Sequence, residues 1–125
     1  MIKPTQHDIA PFTNQEEIAA SCAIAARMKM SSARREAAVY VIQAGNLPVC
    51  KIGYSNDPLF RLGELQVSNW ADLNLRAIFW FQDTALSVDT TALLAAKEMG
   101  VRLRGEWVSL EPEDAATLVL KAAKH

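Results

Sequence analysis

Two short β-type segments joined by a turn constrain the fold more than any other part of the sequence. AVYVIQA (38–44) alternates and is rich in β-branched residues, and VCKIGY (49–54) follows it after the connection GNLP (45–48). A connection this short, with its Gly and Pro, turns the chain back on itself, so the two segments pair as an antiparallel hairpin. The rest of the chain is therefore expected to pack around an antiparallel sheet.

One long strand and one short strand are predicted to complete this sheet. LNLRAIFWFQ (73–82) alternates and is aromatic, which is typical of a strand that packs on a core. GEWVSL (105–110) predicts a short final strand. The strands are separated by stretches with helical spacing, so the sheet is expected to have helices packed against it.

Turn and capping residues mark where these helices begin. Thr13 and Glu16 form a capping box ahead of an amphipathic helix at about 14–30. Asp57 is predicted to cap a helix that runs to about Val67, with proline at its first position. The two other predicted helices cover about residues 88–99 and 112–123.

The predicted fold class is α+β, with a small central antiparallel sheet of three main strands plus a short one, flanked by helices. Residues 1–36 are assigned to an N-terminal arm and an added amphipathic helix, and residues 37–125 to the domain that carries the sheet. A chain of 125 residues is long enough for one domain with a buried core.

Composition excludes several classes of function. A net charge of −1 excludes a broadly basic nucleic-acid coat, although it leaves room for a local basic groove. Cys22 and Cys50 lack the spacing of a zinc site and favour buried thiols in a reducing cytoplasm. The only histidines, His7 and His125, lie near the termini, so a histidine base is not expected. No apolar run approaches the ~20 residues of a membrane span, so membrane association is not expected.

Four short motifs follow one another with a specific spacing. Tyr40 lies in the first hairpin strand, and Lys51-Ile52-Gly53 begins eleven positions later in the second. Arg61 follows Lys51 by ten positions, and Gly105-Glu106-Trp107 closes the series. Together these motifs resemble the GIY-YIG nuclease superfamily, in the branch with a K-I-G second motif and a terminal G-E-W motif that is often described as a phage-type DNA-binding domain. The resemblance covers residues 38–110 and leaves residues 1–36 unexplained.

The resemblance implies hydrolysis of phosphodiester bonds. In the family, a tyrosine orients or deprotonates the attacking water and an arginine holds the phosphate, roles that would fall to Tyr40 and Arg61 here. A glutamate on a later helix binds one divalent metal ion, for which Mg²⁺ requires oxygen ligands.

The family's metal-binding glutamate has no counterpart at the matched position. Fourteen positions ahead of Gly105 stands Thr91, and Ala95 replaces an expected histidine. Asp89 is assigned to capping the helix, and Glu106 is an unconventional replacement acid. No metal ligand is therefore assigned, and the sequence favours a domain that has lost catalysis but kept its scaffold.

Nucleic-acid contacts are assigned to a modest patch that comprises Lys51, Tyr54, Arg61, Arg102 and Arg104. Such a patch would bind DNA or RNA in a salt-sensitive way, largely independent of sequence. Structural alternatives remain for its members, because Lys51 can extend its stem at a sheet edge and Arg61 can pair with Glu64 three residues later on a helix.

Three functions follow from these assignments. The leading hypothesis is a catalytically degenerate GIY-YIG-like domain that works as a nucleic-acid-binding or interaction module, without a cofactor. The second is a Mg²⁺-dependent endonuclease that uses Tyr40, Arg61 and Glu106. The third is a protein-interaction module of a phage or mobile element, which contacts a partner or a second copy through the N-terminal helix.

Overall fold

The computed structural model describes residues 12–28 and 36–124, which form four helices and four strands. In chain order the elements are α1 (Gln15–Met28), β1 (Glu36–Ala44), β2 (Cys50–Ser55), α2 (Pro58–Val67), β3 (Leu73–Gln82), α3 (Ala85–Glu98), β4 (Trp107–Val108) and α4 (Pro112–Ala123). The predicted α+β fold, with three main strands, a short fourth strand and an N-terminal helix, is confirmed. None of these helices is both long and apolar enough to cross a membrane.

The sheet is antiparallel throughout, with the strand order β3-β1-β2-β4. β1 and β2 form the predicted hairpin, in which Tyr40 faces Gly53 across the ladder. β4 is shorter than predicted and pairs only with Cys50 and Lys51 of β2. The outer edge of β2 is therefore left without a partner strand from Gly53 to Ser55, within the described part of the chain.

β1 is buried on both faces because a separate apolar core lies on each side of the sheet. Val39 and Val41 face the first core, which is closed by α3 and α4. Tyr40 and Ile42 face the second core, to which α1 contributes Ile18. The continuous burial of residues 38–44 makes β1 the strand on which both layers depend.

Helix α1 uses its apolar side within the chain. Ile18, Cys22 and Ala25 are buried in or near the second core, and the indole N–H of Trp80 donates to Ser21 Oγ at 3.1 Å. Asn14, rather than the predicted Thr13, caps this helix, since its Oδ1 accepts from the backbone N–H groups two and three residues later. Residues 29–30 of the predicted helix lie outside the described residues.

Position 53 requires glycine because the Tyr40 ring occupies the space that a side chain would fill. A Cβ built at Gly53 would overlap the Tyr40 hydroxyl and come within 2.6 Å of Cζ. Both residues have fixed places in the ladder, so neither can move aside without disturbing the hairpin. The glycine of the K-I-G motif thus allows Tyr40 to cross over β2.

We expect Gly53→Ala to lower the free energy of unfolding by about 1–3 kcal/mol, because overpacking forces the ring or the strand to shift. Urea denaturation measures this change. The matched control is Gly63→Ala in α2, where a Cβ meets nothing within 4 Å and alanine is the better helix former, so stability should rise by up to about 1 kcal/mol. Equal effects at the two glycines would contradict this account of Gly53.

Candidate nucleic-acid-binding groove

A polar groove of about 620 Å³ opens at the end of the sheet where β1 begins and β2 ends. It lies beside the part of β2 that β4 leaves uncovered. The side chains that line it and carry its chemistry are those of Glu36, Tyr40, Tyr54, Ser55, Arg61 and Glu106. Four of the residues predicted from the motifs, Tyr40, Tyr54, Arg61 and Glu106, therefore meet in one place.

Tyr40 and Arg61 reach the groove from different elements. Tyr40 passes from the buried central strand over Gly53, whereas Arg61 lies in the first part of α2. Asp57 fixes the start of that helix, since its side chain accepts from the backbone N–H of Phe60. The predicted cap at Asp57 is thus confirmed, and it sets the position from which Arg61 reaches the groove.

The hydroxyl of Tyr40 is held in its protonated form. Burial raises the pKa of Tyr40 to about 12, and the carboxylate of Glu106 acts in the same direction. The neighbouring Arg61 guanidinium lowers this pKa but does not outweigh burial. The same contact raises the pKa of Arg61. At neutral pH the floor of the groove therefore holds a neutral phenol, on a residue that is only 1% exposed, beside a guanidinium cation.

The side chain of Arg61 is partly exposed to solvent. Its guanidinium lies 3.5 Å from the Glu64 carboxylate, the pairing that its helical spacing predicted. This ion pair is solvent-exposed on both sides, with both side chains more than 40% accessible, and exposed pairs of this kind are weak. An anion that enters the groove can therefore compete with Glu64 for the guanidinium.

Lys51 forms an ion pair at the inner side of the groove. Its Nζ lies 3.0 Å from Glu106 Oε1 and 5.6 Å from the centre of the Trp107 ring. Lys51 is buried in β2 rather than extended at a sheet edge. Its charge is neutralised by Glu106, so it adds little positive potential to the groove.

Asp89 is a buried carboxylate that the sequence assigned to the wrong role. It was predicted to cap α3, but that helix begins after Thr84, and Asp89 lies within the helix at 3% exposure. Its Oδ1 makes no hydrogen bond. The pKa of Asp89 is raised to about 7, mainly by burial; the Glu106 carboxylate acts in the same direction and the Lys51 ammonium in the opposite one. Asp89 is therefore close enough to Glu106 and Lys51 for their charges to act on it.

The spacing of apolar residues in α3 indicates that Asp89 is buried. Ala85, Val88, Ala92 and Ala96 form the buried side of α3, and Asp89 occupies a position on that same side by helical spacing. A carboxylate on an apolar helical stripe is rarely buried without a partner. The pattern therefore indicates a buried acid with a functional role at this position rather than a helix cap.

Thr91, the position matched to the family's metal-binding glutamate, does not line the groove. Thr91 and Ala95 line a different cleft, of about 760 Å³, between α3 and α4, together with Leu94 and Met99. A carboxylate placed at residue 91 would therefore enter that cleft rather than the groove. The acid on α3 that acts electrostatically on Tyr40 is Asp89.

Arg102 and Arg104 do not line the groove, although both were assigned to nucleic-acid binding. The Arg102 Nε donates to the carbonyl of Gly105 at 2.8 Å, which fastens the loop ahead of β4. Arg102 also forms an isolated bridge with Val108. Both arginines are exposed, so they lie on the loop outside the groove.

Comparisons of the chain with protein-family models, with curated proteins and with solved structures found no match.

The resemblance to metal-dependent nucleases raises the question of whether these residues suit Mg²⁺. No group of three or more His, Cys, Asp or Glu side chains with metal-binding geometry occurs in residues 12–28 and 36–124. Mg²⁺ is commonly held by only one or two carboxylates, with water and phosphate completing its shell. The oxygen donors that these residues offer are the carboxylate of Asp89, whose Oδ1 makes no hydrogen bond, and that of Glu106, whose charge acts on Asp89.

The raised pKa of Asp89 makes stability depend on pH. Between its unfolded value of 3.8 and about 7, the folded chain keeps a proton that the unfolded chain loses. The free energy of unfolding should therefore fall as pH rises through this window and stay low above it. Asp89→Asn removes the charge, so we expect it to stabilise the protein by roughly 2–4 kcal/mol at about pH 8 and to change little near pH 4.

Urea denaturation across this pH range measures the effect. Asp72→Asn, at an exposed aspartate, is the matched control and should keep the pH dependence of the parent protein. A parent protein whose stability does not fall between about pH 4 and 7, or an Asp89→Asn variant that keeps the same slope, would contradict the assignment.

Proposed function

We propose that the groove binds the phosphodiester backbone of a nucleic acid and does not cleave it. The observation that carries this proposal is the meeting of the protonated Tyr40 hydroxyl with the Arg61 guanidinium in an open polar groove. A phenol O–H and a guanidinium are both donors, and a phosphate oxygen accepts from both. Their arrangement suits an anion with several acceptor oxygens.

The protonation of Tyr40 favours binding over hydrolysis. A general base must be largely deprotonated near the working pH, and the pKa of Tyr40 is raised to about 12. In this state Tyr40 donates a hydrogen bond rather than removing a proton from water. The spacing of the Tyr40, K-I-G, Arg61 and G-E-W motifs supports phosphate as the ligand, since it resembles that of a family that acts on phosphodiesters.

The charge of the groove predicts weak binding that depends on salt. Among its lining residues in the described chain, Arg61 is the one cation, and the carboxylates of Glu36 and Glu106 line the same groove. A single phosphate contact gives a shallow salt dependence and little sequence selectivity. The groove would then contribute one anchoring contact to a longer interface.

We expect Arg61→Ala to weaken binding to a fluorescent DNA or RNA oligonucleotide by about tenfold at low salt, because one charge-assisted hydrogen bond is lost. The slope of log affinity against log salt should fall by about one. Lys121→Ala is the matched control, since it removes a positive charge from the cleft between α3 and α4 instead of from the groove. Fluorescence anisotropy measures both variants.

Two outcomes of this titration would contradict the proposal. One is the absence of any anisotropy change at low salt with DNA and with RNA. The other is an equal loss of affinity in Arg61→Ala and Lys121→Ala, which would place binding outside the groove.

The endonuclease is the second candidate, and the orphaned carboxylate of Asp89 is the observation that favours it. A buried acid near Glu106 gives this chain a possible Mg²⁺ position that Thr91 does not. In such an enzyme Arg61 would hold the phosphate, and the bound Mg²⁺ would supply positive charge to the departing oxygen.

Supercoiled plasmid with Mg²⁺ or Mn²⁺ separates the two candidates. We expect no nicking by the parent protein, because Tyr40 stays protonated. Nicking that is abolished by Arg61→Ala and retained by Lys121→Ala would overturn the binding-only proposal in favour of the endonuclease. Agarose electrophoresis over a time course provides the measurement.

An interaction with another protein is supported by a different surface. Phe60 and Val67 lie seven residues apart on one side of α2 and are exposed, and Trp70 beyond the helix is 88% exposed. Clustered exposed apolar residues mark contact surfaces in many proteins. Helix α1 buries Ile18, Cys22 and Ala25 within the chain but leaves Ile24 50% exposed, so the surface on α2 is a second candidate for protein contacts beside the N-terminal helix.

A further inference from the structure

We infer that the exposed side of α2 is the contact surface of a two-fold symmetric dimer, in which a second copy of this chain covers it. The surface, called here the α2 stripe, comprises Leu59, Phe60, Gly63 and Val67, and Trp70 extends it beyond the end of the helix. None of these five residues lines the groove, so the dimer does not require the proposed nucleic-acid function to be correct.

The first observation is that α2 is apolar on two opposite sides, of which the chain buries one. Leu62 and Leu65 pack against the second core. Helical spacing places the α2 stripe on the other side, where Phe60 is 64% and Val67 89% exposed. A surface helix normally has a polar side toward solvent, whereas a helix that is apolar on both sides is normally covered on both. The exposed side of α2 therefore has the composition of a contact surface.

The second observation is the glycine at the centre of the stripe. Glycine in a helix interior costs about 1 kcal/mol relative to alanine. A Cβ built at Gly63 would meet nothing within 4 Å, so packing among the described residues does not require a glycine there. What a glycine on an exposed helix side permits is the close approach of another backbone. Gly63 is thus explained by a second helix that crosses α2 at this point.

The α2 stripe is complementary to itself. Leu59 and Val67 lie four residues on either side of Gly63, and residues at this spacing form the ridges along which helices pack. A two-fold axis at Gly63 would set the two helices antiparallel and bring Leu59 of one copy against Val67 of the other. Two-fold dimers of this kind are the commonest assemblies of identical chains.

The charges of α2 favour a protein partner over a nucleic acid or a membrane surface. Nucleic acids and anionic lipids are bound by clusters of lysine and arginine. Arg61 is the only cation of α2, and it pairs with Glu64, the only acid. The α2 stripe itself has no charged residue, so two identical stripes can meet without bringing like charges together.

The size of the surface predicts a weak dimer. Four large, exposed apolar side chains present on the order of 500 Å² per chain. Two copies would together bury on the order of 1,000 Å², which is near the lower limit for a specific interface. We therefore expect a reversible dimer that forms at micromolar concentration.

A dimer would also place two grooves on one particle. Each groove offers a single Arg61 contact to a phosphate, and two linked contacts bind one nucleic acid more tightly than either alone. This consequence rests on the proposed function, whereas the dimer itself does not.

The test is sedimentation velocity of the full chain without nucleic acid, over a series of protein concentrations. We expect the mass to rise reversibly from that of one chain to that of two. Gly63→Lys and Val67→Lys should each weaken dimerisation by about tenfold or more, because like charges would meet in the contact. Lysine is a better helix former than glycine, so Gly63→Lys should fold at least as well as the parent chain, and its loss of dimer would not reflect unfolding.

A cysteine at the predicted axis tests the symmetry. A disulfide requires Cα atoms within about 7 Å of each other, a separation that a two-fold axis at Gly63 provides. Mild oxidation of Gly63→Cys should therefore give a covalent dimer on a non-reducing gel. Ser87→Cys, at an exposed position of α3, is the matched control and should remain a single chain. The native Cys22 and Cys50 are buried, so the parent chain should also remain a single chain.

The inference is overturned if the parent chain stays monomeric at the highest concentration, since a different molecule would then cover the α2 stripe. It is also overturned if Ser87→Cys forms a covalent dimer as readily as Gly63→Cys. Leu94→Lys places the same charge on an exposed apolar residue of the cleft between α3 and α4. An equal loss of dimer in Leu94→Lys and Val67→Lys would contradict the contact through α2.

Arg61→Ala separates the dimer from the proposed function. Arg61 is not part of the α2 stripe, so this variant should dimerise like the parent chain while losing the phosphate contact. A protein that dimerises but does not bind an oligonucleotide would refute the proposed function alone, and a monomer that binds one through Arg61 would refute the dimer alone.

Discussion

The close approach of the Tyr40 ring to the backbone of Gly53 is the contact on which the groove depends. β1 is enclosed by two cores, so its side chains are held from both sides and Tyr40 cannot withdraw. The glycine lets the ring cross the neighbouring strand and bring its hydroxyl to the groove. Arg61 then meets it from α2, whose start is fixed by Asp57. The packing of the two cores therefore determines the geometry of the groove in this protein.

The groove combines this rigid donor pair with a poorly balanced set of charges. Arg61 is weakly paired, Lys51 is bound to Glu106, and Asp89 lacks a hydrogen bond at Oδ1. Buried charged groups are usually satisfied, and departures from that rule tend to occur at functional sites, where stability is given up for chemistry. The charged groups at this end of the sheet are thus incompletely paired, whereas the apolar layers behind them are well packed.

The sequence was most informative where periodicity is strong. β3 and α4 were predicted with the bounds that they have, because alternation in one and a four-residue apolar spacing in the other extend over the whole element. β4 was predicted too long, since the residues before Trp107 form a turn whose hydrogen bonds depend on β2 and on Arg104. Local patterns do not encode such tertiary contacts.

The candidate site was predictable in part for the same reason. Tyr40, Tyr54, Arg61 and Glu106 were found from motif spacing, and the hairpin brings them together. Asp89 was misassigned because a cap and a buried acid look alike in a single sequence, and only the true start of α3 at Ala85 separates them. Thr91 was matched by counting from Gly105, whereas the direction of a helical side chain depends on the rotation of the helix against the sheet.

The placement of Trp107 gives the protein a natural optical reporter. Its partly buried ring lies beneath the Lys51 ammonium, whereas Trp80 is tied to Ser21 and Trp70 stands almost fully in solvent. The three indoles therefore sense three environments, and only Trp107 borders the ion pair of the groove. With the other two replaced by phenylalanine, the emission of a single tryptophan would follow the electric field at the inner side of the groove without an attached dye.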